Sequence, residues 1–256
     1  SIITLASMML QMICLEKCTE TLDDYMINTE ISNDEWCSIL FQIVITLTTY
    51  QKAFAFIHND LHISNVMYIP TDKQYLYYKF NDIHYKVPTY GKIWKIIDYG
   101  RSVYRFNNKL MFSSSFSENG DAATQYNCPP YYNKDKKPIF PNLSFDLCRF
   151  GCSLYDYFFD ISDGNIDITK LDSIQKTIYQ WCLDDKNRNI LFKKNGDERY
   201  PDFKLYKMIT RTVTKHIPLD QLNNPIFTQF ITKRKKIKTK TIIDIDNIPQ
   251  LYELIP

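Results

Sequence analysis

The sequence predicts an α+β fold, mostly helical, with a cluster of short strands set between two helical regions. Three observations carry this. An apolar run at helical spacing follows a capping signal near residue 32. Four short strand-like segments lie between 66 and 97, and helical periodicity returns from residue 144.

In chain order, "QMICLE" (11–16) is short and apolar and reads as a buried strand. A polar break, "KCTET", leads to a short helical segment, "LDDYMI". Ser32 and Glu35 then form a capping-box pattern ahead of Trp36, Ile39, Leu40, Ile43, Val44, Leu47, Tyr50 and Phe54. That spacing predicts a helix over 34–56, buried along one stripe. Next come "VMYIP", "YLYYKF", "IHYKVP" and "KIWKII", with Asn81–Asp82 as a hairpin turn and Gly91 as a break. The polar stretch 101–127 reads as a long loop, of the kind that compact domains reserve for function or mobility. Helices are expected over 144–159, 170–183 and 202–215, followed by a basic run at 233–240 and a tail.

Bulk composition sets limits. The 256 residues suffice for a substantial core, and 45% hydrophobic with 23% charged residues is ordinary for a globular protein. The net charge of +2 implies neither a strong nucleic-acid nor a membrane field. It hides an asymmetry, because Lys233, Arg234, Lys235, Lys236, Lys238 and Lys240 leave the rest of the chain at about −4. The run resembles a nuclear-localisation or anion-binding patch, or a solvated lysine-rich tail. Nineteen tyrosines are many and six glycines few, and the compositional bias of an AT-rich genome would explain the Tyr, Ile, Lys and Asn excess without invoking function. Seven cysteines without a C-x-x-C pair indicate neither a disulfide framework nor a zinc ribbon, and they read as buried thiols in a reducing compartment. The apolar start is too short to span a bilayer and lacks a basic leader. Beginning at Ser1 within apolar sequence, the chain reads as a piece of something longer.

The chemistry concentrates in "HNDLHISNV" (58–66), which follows the long helix directly. Asp60 and Asn65 stand five apart, and Asp98 ends a later strand just before the flexible Gly100. A carboxylate, an amide oxygen and a second carboxylate make an all-oxygen set, suited to Mg²⁺ rather than zinc. Histidines are too few for a dinuclear hydrolase centre.

These residues also resemble a family. "HNDLHISN" is similar to the H-R-D-L-x-x-x-N catalytic loop of protein kinases, and "DYG" to their D-F-G. "LEKCTETLDDYM" resembles the interlobe hinge, "YNCPP" (126–130) the end of the activation segment, "FDLCRFG" the D-x-W-S-x-G helix, and "DDKNR" the D-P-x-x-R motif with Arg188. The resemblance implies a protein-kinase-like fold: the end of an N-lobe and hinge over 1–19, a mostly helical C-lobe over 20–230, an activation segment at about 98–130, and a basic tail over 231–256. The long interval between Asp60 and Asp98 implies an inserted β-hairpin, as in tyrosine-rich kinase-like proteins of large DNA viruses.

The implied activity is transfer of the ATP γ-phosphate to a Ser/Thr hydroxyl of a protein substrate. Asp60 would orient that hydroxyl and take its proton, while Asn65 and Asp98 would hold Mg²⁺ on the nucleotide. His62 would reach the γ-phosphate, and its likeness to aminoglycoside- and choline-type kinases keeps a small-molecule acceptor as an alternative. Glu16 and Cys18 would contact adenine through their backbones, Met67 would floor its pocket and Leu15 would be the gatekeeper. His58 and Gly100 would be structural, and Asp146 would bind backbone N–H groups of the catalytic loop or cap its own helix. The implied location is intracellular: host cytoplasm, or the nucleus if the run 233–240 acts as a signal. No nucleic-acid or membrane partner is firmly implied.

Departures from the pattern bear on activity. Asn59 replaces the arginine that pairs with a phosphorylated loop, Tyr99 replaces a buried phenylalanine, and Pro130 stands where a glutamate would pair with Arg188. No Gly-rich loop, V-A-I-K lysine or helix glutamate precedes Glu16. The N-lobe is thus largely absent, and this chain alone is expected to transfer phosphate weakly or not at all. A non-catalytic pseudokinase scaffold is the third reading.

Overall fold

A computed structural model describes residues 14–159, 166–239 and 241–252. Its centre is one helix. Ser32 Oγ accepts from Glu35 N–H at 3.3 Å and starts α2 (Asn33–Phe54), which Ala55 ends in the left-handed region at φ 47°. Only half of the capping box forms, because the Glu35 carboxylate turns to Tyr25 and Lys92 instead. The helix is buried on all sides rather than along one stripe, from Trp36 to Ala53. The reason is its position: strands β3 (Ile83–Pro88) and β4 (Lys92–Ile96) cover one flank and helices α4 (Ser173–Trp181), α6 (Pro218–Gln221) and α7 (Pro225–Thr228) cover others.

Those strands come from the predicted segments. β1 (Val66–Pro70) pairs antiparallel with β4 (Lys92–Ile96), with Val66 opposite Ile96. β2 (Tyr75–Phe80) and β3 (Ile83–Pro88) form the hairpin, and Asn81 and Asp82 both adopt positive φ at its turn. Phe41 of α2 packs its ring against Tyr78 and Tyr85 of this hairpin and against Phe227 and Phe230. Polar residues of α2 close the backbone accounts of the strands. Ser38 Oγ donates to Pro88 O, and Gln42 Oε1 accepts from Trp94 N–H at 3.0 Å.

The tail joins the same sheet. β7 (Ile231–Thr232) pairs with β3, and β8 (Ile243–Asp244) pairs with β2. Asp246 accepts from Asn81 N–H at 2.7 Å and Asp82 N–H at 3.2 Å, and Lys52 of α2 donates to the Ile245 and Asp246 carbonyls. The cations from Lys233 to Lys236 are exposed around a buried Ile237, and Lys240 lies outside the described residues.

The other helices are α1 (Leu22–Asn28), α3 (Phe145–Phe158), α4 (Ser173–Trp181), α5 (Lys204–Thr212), and the short α6 (Pro218–Gln221) and α7 (Pro225–Thr228), each of the last two carrying proline in its first turn. Gly151 of α3 is required by close packing, since a Cβ there would stand 2.9 Å from Trp181 Cβ.

Two expectations fail. Of the strand expected at 11–16, residues 11–13 lie outside the described residues, and Cys14–Glu16 is exposed coil; Thr19 and Glu20 make the backbone bonds to Tyr68 instead. The stretch 101–127 is not a plain loop. β5 (Val103–Phe106) and β6 (Lys109–Phe112) form a hairpin turned by Asn107 and Asn108, both at positive φ, over a satellite core of Val103, Phe116, Ala122, Tyr126 and Cys128. Five of the seven cysteines are buried and all are free; Cys14 is exposed and Cys18 half-buried.

Phe41→Ala empties the contact between α2 and the hairpin. It should lower unfolding stability by about 3–5 kcal/mol in urea titrations, with the slope unchanged.

Candidate functional site

The stretch 58–66 leaves α2 and is fixed at once by backbone pairing. Ile57 and Val103 exchange two hydrogen bonds of 2.8 Å. Asp146, in the first turn of α3 and fully buried, then accepts from His58 N–H at 2.8 Å and Asn59 N–H at 3.0 Å. Burial pushes the Asp146 carboxyl up to about 7, against the pull of those two N–H groups. Of the two sequence readings of Asp146, the loop-binding one is what the geometry shows.

His58 is buried and bridges two segments. A carbonyl can only accept, so Nε2–H donates to Ile97 O at 2.8 Å, and Nδ1 accepts from Asp60 N–H at 3.3 Å. Burial lowers the His58 pKa, opposed by the Ile97 carbonyl and the nearby carboxylates, and the neutral ring suits both bonds. Asn59 takes a left-handed φ of 67° while fully buried. Its Nδ2 donates to Arg101 O at 3.0 Å, and its Oδ1 accepts from Gln125 Nε2 at 3.3 Å and from the Tyr126 hydroxyl. Where the family pattern has a cation, a neutral amide ties the loop to the segment after Asp98.

Asn65 ends a 3₁₀ turn (Ile63–Asn65). Its Nδ2 donates to Asp60 O at 2.9 Å and to His62 Nε2 at 3.1 Å, so both amide donors serve the loop and Oδ1 is the outward atom. The Asn65 carbonyl accepts from Ile97 N–H at 3.0 Å, which brings Asn65 and Asp98 to the same end of the β1–β4 pair. Asp98 is exposed, at φ 60°, and its Oδ1 accepts from Gly100 N–H at 3.2 Å. A Cβ on Gly100 would stand 3.1 Å from that oxygen, so a side chain there would shift the Asp98 carboxylate by a few tenths of an ångström. Two non-glycine residues at positive φ, Asn59 and Asp98, thus flank Asp60; such conformations persist where surrounding bonds over-determine them.

Both Asp60 oxygens have protein partners. The Tyr206 hydroxyl donates to Oδ1 at 2.6 Å, and Arg101 Nη1 lies 3.3 Å from Oδ2. Arg101 also pairs with Asp121. The Arg149 guanidinium lies 5.1 Å from the Tyr206 ring, and its Nε is buried without a partner. Burial and then Arg149 lower the His62 pKa, so His62 offers its neighbours a neutral ring.

Tyr99, expected to be buried, is 43% exposed; its hydroxyl donates to Ile96 O at 2.7 Å while its ring meets Tyr50, Phe56 and His58. Arg188, expected to be without its usual glutamate partner, has a local one in Asp184. Its side chain donates to Asp184 at 2.6 and 2.8 Å, and although burial pushes Asp184 up, Arg188 and two backbone N–H groups hold it below the usual carboxylate range.

The residues expected to hold adenine gather loosely. Glu16 pairs with Lys95 at 3.1 Å, and Lys95 stands opposite Met67 across β1–β4. Cys18 Sγ lies 3.9 Å from Glu16 O. Leu15 is 80% exposed. Arg101, Tyr206 and Arg149 were missed. Arg149 carried a signal, a cation three residues after Asp146 in an apolar helix; Tyr206, 146 residues beyond Asp60, carried none.

Among the described residues no three His, Cys, Asp or Glu side chains form a metal-holding group, and no helix is long and apolar enough to cross a membrane. No family model matches the chain. It is 34% identical over 129 residues to an uncharacterized protein, 098R, of Invertebrate iridescent virus 6, which covers 43% of this chain and 21% of that protein. Over 54 residues it is 43% identical to a probable serine/threonine-protein kinase of Dictyostelium discoideum, covering 20% of this chain and 4% of that protein. The chain therefore spans about a fifth or less of the length of these relatives.

Asp146→Asn keeps the shape but turns an amide N–H toward a backbone N–H, and should cost about 2–3 kcal/mol by chemical denaturation. An acid whose folded pKa is raised stabilises most below its unfolded value of 3.8 and loses that contribution as pH rises to about 7. The gap between wild type and Asp146→Asn should therefore be widest near pH 4 and narrow toward neutrality.

Proposed function

We propose that this protein is a protein-kinase-like phosphotransferase that moves the ATP γ-phosphate to a Ser/Thr hydroxyl of a protein. The observation that carries the reading is the convergence of Asp60, Asn65 and Asp98, 38 residues apart at the extremes, through one buried carboxylate and one strand pair. The partial likeness to a probable serine/threonine kinase supports it.

The donor set fits a magnesium nucleotide. Asn65 Oδ1 and the outer oxygen of Asp98 are hard oxygens, and two protein ligands leave room for phosphate oxygens and water, the usual habit of Mg²⁺. Bound there, the ion would offset the charge of the phosphates. Asp60 would orient the acceptor hydroxyl and take its proton as the new O–Pγ bond forms and the bond from Pγ to ADP breaks. His62, neutral and engaged with Asn65, would position the amide rather than supply charge, so it gives a small-molecule acceptor no separate support. Asn59 would replace a phosphate-dependent ion pair with permanent neutral bonds.

One observation favours a second, non-catalytic reading: Tyr206 and Arg101 already occupy both oxygens of Asp60. The test separates the two. In the protein at its full native length, with MgATP and a protein acceptor, Asp60→Asn and Asp98→Asn should each lower kcat by about 10²–10⁴-fold. Transfer equal to wild type in both variants, or absent from all three proteins, would sink the catalytic reading.

A further inference from the structure

Beside Asp60 lies a strip of cations that the fold does not neutralise. On α5, Lys204, Lys207 and Arg211 fall three and four residues apart and share one side. Cations and rings alternate along that side. Arg149 lies 5.1 Å from the Tyr206 ring, Tyr206 stacks on Phe203 at 5.2 Å, and Lys207 lies 5.3 Å from Phe203. Arg211 continues the line, donating to Lys207 O at 2.6 Å and Thr124 O at 2.9 Å. Beyond it opens a cavity of about 730 Å³ whose walls include Thr124, Pro130, Tyr131, Tyr132 and Lys136. The other end of the line is the Tyr206 hydroxyl on Asp60.

Lys79, Lys92 and Arg188 lie within 4.0 Å of carboxylates, and Lys52 and Arg199 are held by backbone carbonyls. Among the described residues, Lys136, Arg149, Lys204, Lys207 and Arg211 have no carboxylate partner. The Arg149 Nε is in addition buried and without a hydrogen-bond partner. A row of unpaired, ring-braced cations beginning at the candidate base calls for anionic groups on whatever lies along it.

We infer that this strip docks an acidic segment of the protein acceptor, so that the reacting hydroxyl lies among Glu, Asp or phosphorylated side chains. The inference rests on the phosphotransfer reading for the identity of the acceptor. A continuous nucleic-acid backbone fits less well. The rings of Phe203 and Tyr206 are spent on each other and on the satellite and main cores, which leaves no aromatic face for stacking bases.

Binding is measured by fluorescence anisotropy on the full-length protein without ATP. Four probes are compared: a serine peptide flanked by glutamates, the same peptide with flanking phosphoserines, one with flanking glutamines, and a single-stranded RNA. Both anionic peptides should bind at least about tenfold tighter than the glutamine peptide, and Lys204→Gln with Lys207→Gln should remove about that factor. Binding by only one anionic peptide would identify the source of the charge and support the surface. Equal binding of glutamate and glutamine peptides, an unaffected double variant with an unchanged thermal melt, or RNA binding tighter than either peptide would overturn it. If the acidic peptides bind but MgATP phosphorylates no acceptor, the phosphotransfer reading falls and the surface stands. If the glutamine peptide is phosphorylated as well as the glutamate one, the surface falls and the reading stands.

Discussion

The carboxylate of Asp146 organises the site. It is fully buried and, among the described residues, accepts from the N–H groups of His58 and Asn59 alone. Placing a carboxylate there is costly unless those bonds form, and an unpaired N–H pair would be costly without it. The loop therefore has one conformation in which both debts close. In it Asn59 takes a positive φ, Asp60 reaches Tyr206, and the His58 ring reaches Ile97. Residues 58–60, 97–98 and 146 meet only because that buried pairing is satisfied.

Asn59 extends the constraint outward. Its amide joins Arg101, Gln125 and Tyr126, so the segment after Asp98 is held to the loop by neutral bonds and by the satellite core beneath it. Neutral bonds do not weaken with salt as exposed ion pairs do. The arrangement needs no added charge to hold its shape, and the cations nearby are free to face something else. Arg101 is the exception, since it bridges Asp60 and Asp121.

Legibility followed the range of the forces. α2 was readable because its cap, its first-turn acids and its apolar spacing all lie within one segment. The β2–β3 hairpin was readable from alternating aromatics around Asn81–Asp82. The β5–β6 hairpin was missed although Asn107–Asn108 marks its turn, because two four-residue strands amid serines and asparagines show too little alternation to stand out. The full burial of α2 was missed because its outer side carries Ser38, Gln42, Thr48 and Gln51. These read as a solvent face, yet Ser38, Gln42 and Gln51 satisfy the backbone of other elements and Thr48 bonds back to Val44.

The sequence by itself determined the order and type of the main elements and the identity of Asp60, Asn65, Asp98 and Asp146 as a set worth joining. Spacing, capping and hydrophobic period are local properties, and a linear chain records them. Tertiary structure alone decided which atoms face one another: Tyr206 and Arg101 on Asp60, the tail around the hairpin turn, and unpaired cations along α5. Those outcomes depend on desolvation and on bonds between residues tens to hundreds of positions apart. No local pattern encodes the distance between them, so folding had to supply it.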